Sequence, residues 1–273
     1  MKLIDFDTMF DVKLTRLMQE NKHGYTEKQW EDVIPKLYQK FGDTYVAKIK
    51  CTPKEYYAKM SDAQLVECLR AHIREDVPTP EFLCAEMEKR GATQTLIPLL
   101  TSPDLAEASY ALNLIGDNES AYDTYFDILT GGGADEDIRS DITDIFKCNA
   151  DKMQARAIDA YKKGLGQEYM LEILSRVKER NEEVYSILIN AFLSGENTPM
   201  RASYLAAYGD ERALPILLNK IEDITIGFVE FQELKYAIEA LGGEYNEPRD
   251  FTDDKDYIAV EAAGMPTSSE IKN

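Results

Sequence analysis

Histidine is nearly missing from this chain of 273 residues, where His23 and His72 are the two present. A centre built from several imidazoles is therefore excluded. Cysteine is sparse as well. Cys51, Cys68, Cys84 and Cys148 include no Cys-x-x-Cys pair, and four scattered cysteines read as reduced thiols rather than a disulfide framework. The sharper alternative is a zinc set of Cys51, Cys68, His72 and Cys84, because Cys68 and His72 stand four apart and share a helix face. Long apolar runs are lacking too. Counting Pro98 as apolar, the longest is Leu96-Ile97-Pro98-Leu99-Leu100, far short of the roughly 20 residues that span a bilayer. Asp5 and Asp7 interrupt the place where a secretory signal needs its apolar stretch, so a cytoplasmic location is expected. Finally, positive charge is short: 31 basic residues face 50 acidic ones, a net charge of −19. Binding to nucleic acid or to an anionic membrane surface needs the opposite balance, so neither partner is expected.

What the sequence does hold is helical periodicity. Trp30, Val33, Ile34, Leu37, Tyr38 and Phe41 recur at i, i+3, i+4, i+7, i+8 and i+11. Tyr122, Tyr125, Phe126 and Leu129 repeat the pattern, as do Met170, Ile173, Leu174 and Val177, and again Leu214, Leu217, Leu218 and Ile221. Each set is one apolar stripe that must be buried against a neighbour. Helix starts are marked by Thr52-Pro53, Thr79-Pro80, Ser102-Pro103 and Thr198-Pro199, each a hydroxyl before a proline, and by capping boxes at Thr26…Gln29 and Ser61…Gln64. Glycines 42, 91, 116, 195, 209 and 242 follow periodic segments and mark the stops. The pattern predicts an all-α protein of roughly twelve helices, most of about 10 to 16 residues. Tyr45 to Cys51 is the one strand candidate.

The stops suggest a period. Leu114-Ile115-Gly116-Asp117 closes one helix and opens the next, and Ala207-Tyr208-Gly209-Asp210 does the same three units of about 31 residues later. Ala240-Leu241-Gly242-Gly243 follows after one more. The stretch Tyr208-Gly209-Asp210-Glu211-Arg212-Ala213-Leu214-Pro215-Ile216-Leu217-Leu218, followed by Glu233 to Gly242, resembles the HEAT-like repeats, in particular the short bacterial kind found in phycobilisome lyases. Residues 91–117 give a fainter copy, and the resemblance covers residues 91–243. It implies a right-handed α-solenoid of helix pairs, with residues 1–90 as an N-terminal helical cap and residues 244–273 as an acidic tail in which Tyr257 to Val260 docks back. Two enzymatic branches of similar fold do not suit this chain. Deoxyhypusine hydroxylases bind iron through repeated His-Glu pairs, whereas His23 precedes Gly24 and His72 precedes Ile73. Alkylpurine DNA glycosylases need a basic groove, whereas residues 101–150 hold two basic residues against eleven acidic ones.

Candidate chemistry is thin. Gly131-Gly132-Gly133 lacks the Gly-Lys-[Ser/Thr] ending of a phosphate loop and reads as a break between repeats. Asp135, Glu136, Asp137, Asp141 and Asp144 are not a calcium loop, because Ser140 and Phe146 stand where Gly and Glu are required. No catalytic residue, cofactor or metal is assigned. The chain reads instead as a non-enzymatic scaffold whose concave, acidic, tyrosine-rich surface meets a protein or peptide with basic patches. Tyr169 and Tyr204, off the main stripe of their helices, together with Asp135, Asp137 and Asp141, are the candidate binding surface. The alternative is a lyase-like or other small-molecule enzyme with a pocket between repeats, drawing on Cys68, His72 and Cys84. Residues 1–50 differ from the rest in being almost neutral, with nine basic residues against eight acidic.

Overall fold

The computed structural model describes residues 3–20 and 24–263, and among them the chain is all-α, with no strand. His23 and the last ten residues of the expected tail lie outside the described residues. The strand candidate at Tyr45–Cys51 forms a single antiparallel bridge between Val46 and Cys51 and no more. No helix among the described residues is long and apolar enough to cross a membrane. The chain divides into two compact units, Met1–Ile128 with Gly132–Ser140, and Leu129–Gly131 with Asp141–Asn273.

In the first unit the helices are α1 (Phe6–Glu20), α2 (Glu27–Gly42), α3 (Pro53–Ala58), α4 (Asp62–Arg74), α5 (Glu81–Arg90), α6 (Thr93–Leu96) and α7 (Leu105–Ile115). Then come α8 (Tyr122–Gly131) and α9 (Glu136–Cys148), which straddle the division. The second unit holds α10 (Ala150–Lys162), α11 (Gln167–Leu174), α12 (Glu182–Leu193), α13 (Thr198–Tyr208), α14 (Leu214–Ile221), α15 (Phe228–Ala240) and α16 (Lys255–Ala262). Sixteen helices stand among the described residues against the dozen expected, the shortest being α3 and α6 at six and four residues. Segments that short carry too few apolar positions to display a period.

The capping boxes at Thr26, Thr52 and Ser61 form as the sequence dictates, each side chain accepting from the backbone N–H three residues on. Three other hydroxyl-proline starts do not cap. Pro80 itself stands at the start of α5, Asp104 rather than Ser102 accepts the first N–H groups of α7, and Thr198 lies inside α13 after Asn197. A hydroxyl caps when its own residue takes extended backbone just before the first turn, as Thr52 does at φ −83° and ψ 159°. Among the glycines, Gly166 is the most constrained. Its φ is +54°, and a Cβ there would sit 2.4 Å from the Leu129 carbonyl oxygen.

The first unit packs around aromatic side chains. Phe6 meets Tyr56 and Tyr57 edge-on at 5.9 and 5.8 Å, and Tyr38 stacks on Phe82 at 4.6 Å. Leu65, Leu69, Leu83, Met87 and Leu100 are fully buried with them. Helix α3 packs on α5, and α5 packs on α7. In the second unit α11 packs on α13 and α13 on α15, with α12 against α13 and α14 against α15.

Arginine closes helix ends in both units. Arg90 donates to the carbonyls of Tyr57, Ala58 and Met60 at 3.4, 2.9 and 2.6 Å, where α3 ends and α4 begins, and is held by Asp62 and Glu86. Arg201, buried, donates to the Ala191 carbonyl and the Ser194 hydroxyl at the end of α12, while Glu168 and Glu196 neutralise it. Arg180 reaches the Gly209 carbonyl at 2.6 Å past the end of α13. Arg249 reaches the Ile221 and Asp223 carbonyls at 2.6 and 2.8 Å past the end of α14.

That last arginine belongs to the closing segment, whose described part packs against α14 and α15. Tyr245 is buried against Phe231, Phe251 packs on Phe228 and Phe231, and the Asp254 carboxylate accepts from the Phe228 N–H at the start of α15. Tyr257 packs on Phe228 as well, so docking begins well before Tyr257. Three aromatic rings and one guanidinium outweigh an acidic composition when each finds a partner on α15.

Replacing Arg201 with methionine leaves the Ala191 carbonyl and two carboxylates without their donor. Urea denaturation followed by circular dichroism is expected to show a loss of about 2 kcal/mol. Arg201→Lys is expected to recover only part of it, because an ammonium cannot reproduce the fork of donors.

Candidate functional site

The acidic candidates lie on α9. Ile138, Ile142 and Phe146 are fully buried along one side of this helix, and Asp137, Asp141 and Asp144 are exposed on the other. Asp135 precedes the first turn, and its carboxylate accepts from the Asp137 N–H at 3.0 Å. The two basic residues nearby in sequence are already engaged. Arg139 pairs with Glu136 at 2.9 Å, and Lys147 bridges Asp144 at 2.8 Å and Glu172 at 2.7 Å. Asp137 and Asp141 have no cationic partner among the described residues. The helix dipole stabilises Asp137 in the first turn, but its effect fades within that turn and does not reach Asp141. Two like charges four apart repel by about 0.2–0.5 kcal/mol.

The two tyrosine candidates part company. Tyr169 on α11 is half-buried. Tyr204 on α13 is buried at 8% exposure, and that burial pushes its hydroxyl well above the usual phenol range, so it does not belong to an exposed surface. The reason is that α13 packs against α11, α12 and α15 together. Thr198, Arg201, Ala202, Leu205 and Tyr208 are buried along with it, so a position off the main stripe still faces a neighbour. Tyr208, Tyr125 and Tyr185 are structural. Tyr208 Oη accepts from the Asn181 N–H and donates to the Asn181 carbonyl, Tyr125 donates to the Gly116 carbonyl, and Arg212 lies 4.2 Å over the Tyr185 ring. Tyr110 and Tyr236 are exposed at 36% and 65%. The off-stripe criterion that singled out Tyr169 and Tyr204 also fits Tyr236, which stands beside the buried Leu234, Ala237 and Ile238 stripe of α15.

The cysteine and histidine candidates are packing residues in the first unit. Among the described residues no group of three or more His, Cys, Asp or Glu side chains is placed to hold a metal ion, so Cys51, Cys68, His72 and Cys84 do not assemble as a zinc set. Cys68 is buried and Cys84 half-buried, and desolvation pushes both thiols up to about 11. A thiol that holds its proton so firmly is the reverse of an activated nucleophile. His72 is fully buried, with Nδ1 3.3 Å from the Val77 carbonyl. Its Nε2 and the hydroxyl of the buried Tyr57 have no hydrogen-bond partner among the described residues. Burial raises the Tyr57 hydroxyl far above the usual phenol range.

No family model, curated protein or solved structure matches the chain. What it does has to follow from its own charges and packing. Those features comprise an acidic helix face on which Asp137 and Asp141 lack a cation among the described residues, and the buried Cys68 and half-buried Cys84 thiols held in their neutral form.

The thiols offer a direct check. In the native protein at about pH 8, a disulfide reagent is expected to modify the exposed Cys148 first. Cys68 should react only on the timescale of local opening. A Cys68 that reacts as fast as Cys148 would overturn its assignment as a core thiol.

Proposed function

We propose that this chain is a non-enzymatic interaction scaffold, a solenoid of HEAT-like helix pairs whose acidic helix face receives a protein or peptide with basic patches. The observation that carries the reading is the pair Asp137 and Asp141. They are exposed, one turn apart and without a cation among the described residues, although Arg139 and Lys147 stand on the same helix. The dipole of α9 favours Asp137 but not Asp141, and a basic partner relieves the repulsion between the two as it binds. The field of a chain with net charge −19 also draws cationic surfaces toward it.

Three features favour the solenoid arrangement. Alternate helices pack on one another, α3 on α5 on α7 and α11 on α13 on α15, as expected when equivalent helices of successive pairs stack. The sequences at Gly116 and Gly209 have the same local build, a helix, a positive-φ glycine, a short 3-10 turn capped by Asn118 or Asp210, and a second helix. Arginine contacts at 32, 29 and 28 residues' separation match the repeat interval.

Immobilised protein incubated with lysate is expected to retain a basic partner at about 0.1 M salt, where charges act over about 10 Å, and to release it near 1 M, where they act over about 3 Å. Asp135→Asn, Asp137→Asn and Asp141→Asn together should weaken retention without lowering helicity. Retention that ignores both salt and these substitutions would remove the electrostatic basis of the proposal.

A further inference from the structure

A groove of about 270 Å³ runs between α1 and α2, and it carries charge of the sign this protein has least of. Phe10 and Phe41, at 7% and 4% exposure, form its floor. Leu14, Leu17 and Leu37 line it and are only half-buried, so apolar surface faces water. Lys13 and Lys40 stand with them, one from each helix. The Lys13 ammonium lies 4.6 Å from the centre of the Phe41 ring, over the floor of the groove. Neither lysine has a carboxylate partner among the described residues, while Lys54, Lys147, Lys162, Lys163 and Lys220 all do. The Lys13 ammonium thus stands over an apolar floor without a carboxylate, and Lys40 lines the same groove.

We infer that this groove binds a small amphiphile with one anionic head, of the medium-chain fatty carboxylate class. The volume falls just below the usual range for small-molecule sites and suits a single acyl chain. Phe10, Phe41 and the leucines bury the chain, and Lys13 and Lys40 take the head from either side. A carboxylate has two oxygens and accepts from both ammonium groups at once. A neutral chain of the same length meets the same floor but leaves the lysines as they are. This inference is independent of the acidic face on α9.

The test compares decanoate, decanol and acetate, below micelle-forming concentrations, by calorimetry and by the emission of Trp30. That residue is the one tryptophan in the chain and lies on the same helix, α2. Decanoate is expected to bind, decanol up to about twenty-five-fold more weakly, and acetate not measurably, about five-fold being the upper end of what each of the two exposed ion pairs contributes. Lys13→Gln and Lys40→Gln should each lower decanoate affinity by about five-fold and leave decanol unchanged. Circular dichroism of both variants checks that helicity is kept, and the comparison of decanoate with decanol needs no variant. Equal binding of decanoate and decanol, indifference to both substitutions, or binding of an acidic Leu/Glu-rich helical peptide in place of decanoate would each overturn the inference.

Discussion

Short helices create a problem that the rest of this structure is arranged to meet. Every helix ends with four carbonyls that have no partner within it, and a chain that turns back every dozen residues brings many such ends against its core. Glycine in left-handed backbone solves part of this at Gly91 and Gly209. Arginine solves it at α3, α12, α13 and α14, where a planar fork of donors meets several carbonyls at once and its charge suits the negative end of the helix dipole. The acids that hold these arginines, such as Glu86, Asp62, Glu168 and Glu196, then serve packing rather than binding.

This division of labour shapes the outer charge. With Arg90, Arg201 and Arg249 turned toward helix ends, and Arg212 held by Asp210 and Glu182, much of the guanidinium complement is engaged inside the fold. The carboxylate of Asp210 is held below its usual range, chiefly by the hydrogen bond from Arg212. It therefore supports the folded state above the ordinary carboxylate range and stops doing so only as acid protonates it. Acids without such partners, Asp137 and Asp141 above all, remain outside. The acidic face thus arises partly from where the basic residues were needed.

Helix class and several boundaries were legible because they depend on residues close in sequence. The Thr26, Thr52 and Ser61 caps and the Trp30–Phe41 stripe are settled within a few turns. Tyr204 was misread because one stripe per helix assumes one neighbour, whereas α13 has three. Tyr245, Phe251 and Arg249 were masked by the acids around them, since composition does not record that α15 offers Phe228 and Phe231 as partners. The first fifty residues are near-neutral in the sequence, but bringing Lys13 over Phe41 and Lys40 into the same groove needs the crossing of α1 and α2, which no local pattern specifies.

The arginine contacts also bear on how the chain assembles. Arg90 closes on carbonyls made 30 to 33 residues earlier, and Arg249 on carbonyls 26 to 28 residues earlier, whereas Arg180 waits for Gly209, 29 residues later. Contacts of such short reach keep loop-closure entropy low and let each helix end be satisfied soon after it leaves the ribosome. During synthesis, then, the carbonyls at the ends of α3, α13 and α14 lie within about 33 residues of the guanidinium that receives them.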